Sequence, residues 1–120
     1  MKKHDAVSVL SALAQDNRLD VFRLLIEAGA EGMPAGHIAT SLKLPPSALT
    51  FHLDRLREAG LVTVRREGRS MIYAARFDTM NTLVSYLTDH CCQGRPELCQ
   101  PKESKVTARM RQRARSEPVR

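Results

Sequence analysis

Proline and glycine break the middle of this chain into pieces too short for anything but small elements. Residues 35–42 carry a short helical pattern that ends near Lys43-Leu44, and Pro45-Pro46-Ser47 opens a second helix that runs to Ala59. Proline fits the first turn of a helix, where its missing N–H would have no partner anyway, and Gly60 is suited to the left-handed turn that stops one. Directly afterwards Leu61–Arg66 and Ser70–Ala75, rich in Val, Ile, Thr and Tyr, flank Glu67-Gly68 and predict a β-hairpin. Two short helices across a tight turn, followed by a hairpin, predict a mainly α fold of the winged helix-turn-helix kind.

The flanks fit that plan. Ala6, Val9, Leu10 and Leu13 recur at helical spacing and predict a first helix over about residues 5–14. Asn17 is suited to cap a second, with Phe22, Leu25 and Ile26 on its core side and Gly29 at its end. Phe77-Asp78-Thr79 starts a last helix in which Met80, Leu83, Val84, Leu87 and Cys91 make an apolar stripe, with Gly94 and Pro96 finishing it. A chain of 120 residues has room for one core, and with no Trp and 4 % aromatics that core must be built of Leu, Ile, Val and Ala. So small a domain leaves the outer sides of its terminal helices little to bury against except a second subunit, which predicts a homodimer. No apolar run approaches the roughly 18 residues of a membrane span, and Met1–Asp5 is not followed by a signal-peptide core, so the chain reads as cytoplasmic with no membrane partner.

The net charge of +6 invites a nucleic-acid partner, but its placement matters. Residues 102–120 carry seven Lys or Arg against Glu103 and Glu117, so +5 of the +6 belongs to the tail. The organisation read from this is a DNA-binding and dimerisation domain over residues 1–92, an extension over 93–101, and a polar, basic tail over 102–120 that is expected to be mobile.

A better sign of a DNA partner lies in the helix at 46–59. At about 100° per residue, Ala48, Leu49, His52, Leu53, Leu56 and Ala59 share the core side, whereas Ser47, Thr50, Phe51, Asp54, Arg55 and Glu58 face outward. An outward Phe beside Ser, Thr and Arg suits a major groove, where Phe meets a thymine methyl and the hydroxyls bond base edges or phosphates. Packing of Phe51 against the preceding helix or the wing is the alternative. His52, at the edge of the apolar side, reads as a packed, hydrogen-bonded structural histidine. Arg65, Arg66 and Arg69 bracket the hairpin tip and are placed to clamp phosphates or enter the minor groove.

The run Leu49-Thr50-Phe51-His52-Leu53-Asp54-Arg55-Leu56-Arg57-Glu58-Ala59-Gly60-Leu61-Val62, with Arg65-Arg66-Glu67-Gly68-Arg69 and Tyr73, resembles the reading helix and wing of the ArsR/SmtB metal-responsive repressors. Leu13-Ala14-Gln15-Asp16-Asn17-Arg18-Leu19 through Leu24-Leu25 is similar to the start of that family's second helix, so the resemblance covers about residues 6–92. It implies a homodimer joined through the first and last helices, with Ser47, Thr50 and Phe51 at the DNA-contact positions. A dimer in turn predicts a palindromic double-stranded operator with half-sites about one helical turn, or a multiple of it, apart.

The inducer has to be argued from the cysteines. The founding arsenic repressors of that family carry cysteines at the start of the first helix of the motif, but here Met33-Pro34-Ala35-Gly36-His37 has none. The family's zinc site on the last helix is also unmatched, since that helix offers only Asp78, Asp89 and His90. There remains Cys91-Cys92-Gln93-Gly94-Arg95-Pro96-Glu97-Leu98-Cys99, which resembles a subgroup of arsenic-responsive members with a cysteine pair ending the last helix and a third downstream. Neighbouring residues on a helix point about 100° apart, so Cys91 and Cys92 can share one centre only where the helix is ending. Gly94 and Pro96 can turn the chain so that Cys99 closes a third vertex. Three soft sulfurs suit pyramidal As(III) or Sb(III), whereas zinc wants four ligands and would need His90 as well. A disulfide between Cys99 and one of the pair is the redox alternative.

The chain is therefore expected to be a repressor released from operator DNA by As(III), with zinc, cadmium or thiol oxidation as alternative signals. An enzyme is not indicated: there is no Cys-x-x-Cys on a βαβ unit, no glycine-rich phosphate loop, and no acid/base pair at a recognisable spacing.

Overall fold

The computed structural model describes residues 1–94, which fall into a compact unit, Met1–Leu87, and a second unit beginning at Thr88. The first unit runs α1 (Lys3–Leu13), α2 (Asp16–Ala28), β1 (Met33–Pro34), α3 (Ala35–Leu42), α4 (Pro46–Glu58), β2 (Val62–Glu67), β3 (Ser70–Ala75) and α5 (Phe77–Leu87). It is a winged helix-turn-helix, mainly helical with one small antiparallel sheet of order β1-β3-β2. Among the described residues no helix is long and apolar enough to cross a membrane.

The helix-turn-helix is shaped by its ends. Lys43 takes the left-handed conformation (φ 54°) and the N–H of Leu44 returns to the carbonyl of Ala39, closing α3. Pro45 is extended and Pro46 stands in the first turn of α4. Gly60 (φ 78°) stops α4, with the N–H of Leu61 bonded to the carbonyl of Leu56. The apolar sides of these helices meet those of α1, α2 and β2, so that Val21, Leu25, Ile38, Leu49, Leu53, Leu56, Leu61 and Val62 are fully buried. Each such side chain withdrawn from water contributes about 1.5–3 kcal/mol, the main force holding α4 at its angle.

Several sequence expectations are corrected. The cap of α2 is Gln15, whose side-chain oxygen accepts from the N–H of Arg18 at 2.9 Å, and Asn17 lies inside the helix. The longer Gln side chain reaches the same donor that a shorter residue at the cap position would have taken. Beside the expected hairpin stands a third strand, β1, pairing Met33 with Tyr73 and Pro34 with Ile72. Proline is tolerated there because β1 is an edge strand, where its missing N–H breaks no ladder. The last helix stops at Leu87, not at Gly94. His90 is left-handed (φ 55°), so the chain turns through Thr88–His90 and continues as a 3-10 turn, Cys91–Gly94. Cys91 therefore does not extend the stripe of α5. Of that stripe only Leu83 is buried, while Val84 and Leu87 are 53 % and 58 % exposed.

Candidate nucleic-acid interface

α4 presents the face its periodicity predicts. Ala48, Leu49, His52, Leu53, Leu56 and Ala59 are turned inward, and Ser47, Thr50, Phe51, Arg55 and Glu58 are exposed. The Thr50 hydroxyl donates to the carbonyl of Pro46 at 2.9 Å, which fixes its rotamer and leaves its oxygen free to accept from outside. Phe51 is 51 % exposed. The Arg55 guanidinium lies 5.1 Å from its ring centroid in a cation–π contact. One turn of helix separates the two, so the pair forms a single flat, cationic and apolar surface. Arg55 also meets Glu58 at 3.6 Å and Arg57 meets Asp54 at 3.7 Å, both exposed pairs that contribute little to stability.

His52, 8 % exposed, sits behind this surface with its ring edge-on to Phe51, centroids 5.6 Å apart. It is packed as expected, but its buried Nδ1 has no hydrogen-bond partner among the described residues. Burial, and then the positive charge of Arg18, push its pKa below the ordinary imidazole value. Arg18 is a residue that sequence patterning passed over. It stands in the first turn of α2, where the helix dipole disfavours a cation, and that misplacement was the available signal. Its Nε donates to the carbonyl of Ala12 at 2.7 Å, fastening the end of α1 to the start of α2.

The three wing arginines are kept apart. Arg65 and Arg66 are neighbours on β2, so they point to opposite faces of the sheet. Arg65 spends its donors inside the protein, Nε to Glu67 Oε1 at 2.9 Å and a terminal nitrogen to the Glu31 carbonyl at 2.7 Å. That bond ties the wing to the loop before β1, so Arg65 acts as a strut as well as a charge. Arg66 uses only Nε, donating to the Gly68 carbonyl at 3.1 Å across the turn, and its terminal nitrogens remain for a partner. Arg69 is exposed at the turn itself.

Cys91 and Cys92 belong to the second unit. Cys91 is half-buried at the start of the 3-10 turn, its N–H bonded to the Thr88 carbonyl at 3.1 Å, and Cys92 follows it in the chain. Cys99, with the whole of the 102–120 tail, lies outside the described residues. Asp89 and His90 form an exposed pair at 3.6 Å. Among the described residues no three His, Cys, Asp or Glu side chains gather in a way that could hold a metal ion.

A helix-turn-helix domain family matches residues 13–65. The chain is 31 % identical over 88 residues to the transcriptional activator HlyU of Vibrio cholerae, covering 73 % of this chain and 79 % of that one. It is 41 % identical over 63 residues, 52 % of this chain and 48 % of the other, to a Halobacterium salinarum protein assigned as the arsenical resistance operon repressor ArsR. Among solved structures, an ArsR-like transcriptional regulator from Rhodococcus superposes with a TM-score of 0.67 at 25 % identity, over 95 % of this chain and 96 % of that one. A homodimeric winged helix-turn-helix DNA-binding domain from Mycobacterium bovis gives 0.60 at 27 % identity, covering 72 % and 81 %. These relatives are transcriptional regulators, not enzymes.

Proposed function

The chain belongs to the ArsR/SmtB family of winged helix-turn-helix transcriptional regulators, and on that premise we propose that it is a homodimeric repressor released from its operator when As(III) binds the thiolates of Cys91, Cys92 and Cys99. The DNA-reading surface is Ser47, Thr50, Phe51 and Arg55 on α4, with Arg66 and Arg69 of the wing, and Arg65 through its place in the wing's frame, on the flanking phosphates. The dimer seam is made by α1 and α5, whose Val7, Leu10, Val84 and Leu87 are exposed in the single chain. The homodimeric relative supports that assembly. Such a regulator acts where the DNA is, in the cytoplasm.

The observation that carries the inducer reading is chemical. All three cysteines of the chain fall within nine residues, two of them adjacent, and the stretch begins four residues beyond α5. Soft thiolates favour soft ions, and three of them match a three-coordinate pyramidal centre. The arsenical resistance repressor among the relatives supports the same inducer. On this reading the thiols draw the 93–101 extension around the ion, the α5 seam shifts, and two reading helices that must fit two grooves at fixed spacing no longer do so. A coupling of about 1–3 kcal/mol would loosen DNA roughly 5–150-fold.

The test is operator binding by fluorescence anisotropy, on a duplex selected from a random pool, titrated separately with arsenite, antimonite, zinc and cadmium. Arsenite should release the wild type, while Cys99→Ser should hold DNA as tightly and resist release. Unchanged affinity in arsenite overturns the inducer assignment, and release by zinc or cadmium alone transfers it to a site that includes His90.

A further inference from the structure

A cleft of about 440 Å³ opens between α1, the first turn of α2 and the outer edge of α4, and its polar lining is Ser8, Ser11, Arg18, Arg55 and Glu58 against the ring of Phe51. The volume is that of a site for a small organic molecule. Three helices contribute, and the two arginines are already oriented. Ser8 and Ser11 stand one turn apart on the same face of α1. Arg18 is held by Nε at the Ala12 carbonyl, so its two terminal nitrogens are the donors left to meet a ligand. Arg55 is laid over Phe51.

The charges around the cleft do not cancel. Glu58 answers Arg55 at 3.6 Å, and no ion pair among the described residues includes Arg18. A lining with one uncompensated guanidinium, two hydroxyls and an aromatic wall is complementary to a monoanion on a flat apolar body. Guanidinium binds carboxylate through two parallel hydrogen bonds, and the ring offers offset or edge contact to a second ring.

We propose that the cleft between α1 and α4 is a binding site for a small aromatic monocarboxylate, with Arg18 as its anchor, Ser8 and Ser11 as hydroxyl donors and Phe51 as its apolar wall. Such a ligand would hold Phe51 and Arg55 against α1 and withdraw them from DNA, giving α4 a control separate from the thiols. The effect on DNA rests on the proposed operator reading; the binding does not.

The experiment uses the full chain and two probes of one shape, benzoate and neutral benzamide, followed by backbone amide NMR without DNA. Benzoate should give saturable shifts at Ser8, Ser11 and Phe51, benzamide should not, and Arg18→Gln should weaken benzoate about tenfold or more through loss of a charged hydrogen bond. Ser11→Leu, an exposed position where a larger side chain fills the cleft without unfolding α1, should abolish binding even if Arg18→Gln disturbs the α1–α2 turn. No saturation at millimolar benzoate, equal binding of benzamide, or full affinity in Ser11→Leu overturns the site. Weakened DNA binding by Arg18→Gln in a protein that ignores benzoate would also overturn it, assigning Arg18 to a DNA phosphate. With binding established, saturating benzoate should lower operator affinity in the wild type and leave Ser11→Leu unaffected; failure of that step alone speaks against the DNA reading of α4 and leaves the site in place.

Discussion

Gly32 fixes the short strand that joins the helix-turn-helix to the wing, and replacing it with Ala should cost far more than the same change at Gly29. Both glycines have positive φ, 74° and 77°, and Gly29, with ψ −165°, lies where essentially only glycine goes, so either alanine carries a backbone penalty of about 1–3 kcal/mol. At Gly29 a Cβ would meet nothing within 4 Å. At Gly32 it would overlap the Tyr73 carbonyl oxygen and come within 2.9 Å of the Tyr73 carbonyl carbon and 3.0 Å of Ala74 Cβ. These are backbone and sheet atoms that cannot swing aside, so β1 must part from β3 at Met33–Tyr73. Losing one or two ladder hydrogen bonds adds about 1 kcal/mol each, so Gly32→Ala should cost about 1–2 kcal/mol beyond its backbone penalty. Since 1 kcal/mol moves the Tm of a domain this size by about 4 °C, Gly32→Ala should fall about 4–8 °C further than Gly29→Ala, measured at one protein concentration. Operator affinity at low temperature should drop only for Gly32→Ala, because only there does the wing lose its tie to α3. Equal losses in Tm for the two variants would refute the argument that close approach, and not φ alone, demands glycine at 32.

His52 makes stability depend on pH with a defined sign. Its folded pKa lies below the unfolded value of about 6.5, so the unfolded chain takes up the proton first and stability is lost as pH falls from above 6.5 toward the folded pKa. Urea titrations at stepped pH should show that loss, and His52→Phe should flatten it; a slope unchanged in the variant would place the titrating group elsewhere. At the seam, Leu10→Lys or Val84→Lys alters side chains that are 43 % and 53 % exposed in the single chain, so monomer stability should change by no more than about 0.5 kcal/mol. Each should nevertheless shift the molecule from dimer to monomer in light scattering and weaken operator binding, and a dimer that persists undiluted would exclude α1 and α5 as its seam.

The parts of this fold that could be read from the sequence are those governed by one-dimensional rules. The two faces of α4 follow from helical periodicity, and Gly29, Gly60 and Pro46 sit where backbone geometry demands them. What escaped depends on partners distant in the chain. β1 has two residues and no pattern of its own; it exists because Gly32 lets the chain approach Tyr73 closely enough to pair. The Arg65–Glu31 bond spans 34 positions, so no local rule separates a strut from a phosphate clamp. Apolar spacing carries the stripe of α5 four residues too far, because it registers where apolar residues recur, whereas the helix ends at Leu87 and the chain turns through left-handed His90 before Cys91. Of the candidate sites, the α4 surface was therefore legible, but the α1–α4 cleft was not, since Arg18 reaches it only through the packing of three helices.

The same packing limits how any signal reaches α4. The Thr79 hydroxyl, in the first turn of α5, donates to the Gly60 carbonyl at 2.7 Å, and the N–H of Arg76 bonds to the Leu61 carbonyl at 2.8 Å. Gly60 and Leu61 are also the link from α4 to β2, while Ala75 closes β3, so reading helix, wing and α5 share one junction. These bonds couple the root of α5 to the segment that ends α4, so a rotation of α5 would bear on both. With 11 residues α5 is about 16 Å long, so a displacement of 1–2 Å at its far end corresponds to a rotation of about 4–7° at the root. In a dimer whose two reading helices must enter grooves about 34 Å apart, a rotation of that size is transmitted across the whole spacing. On the proposed reading, an ion bound at Cys91 and Cys92 would therefore have no need to touch the DNA-reading surface to disturb it, and a ligand in the cleft would have no need to move α5.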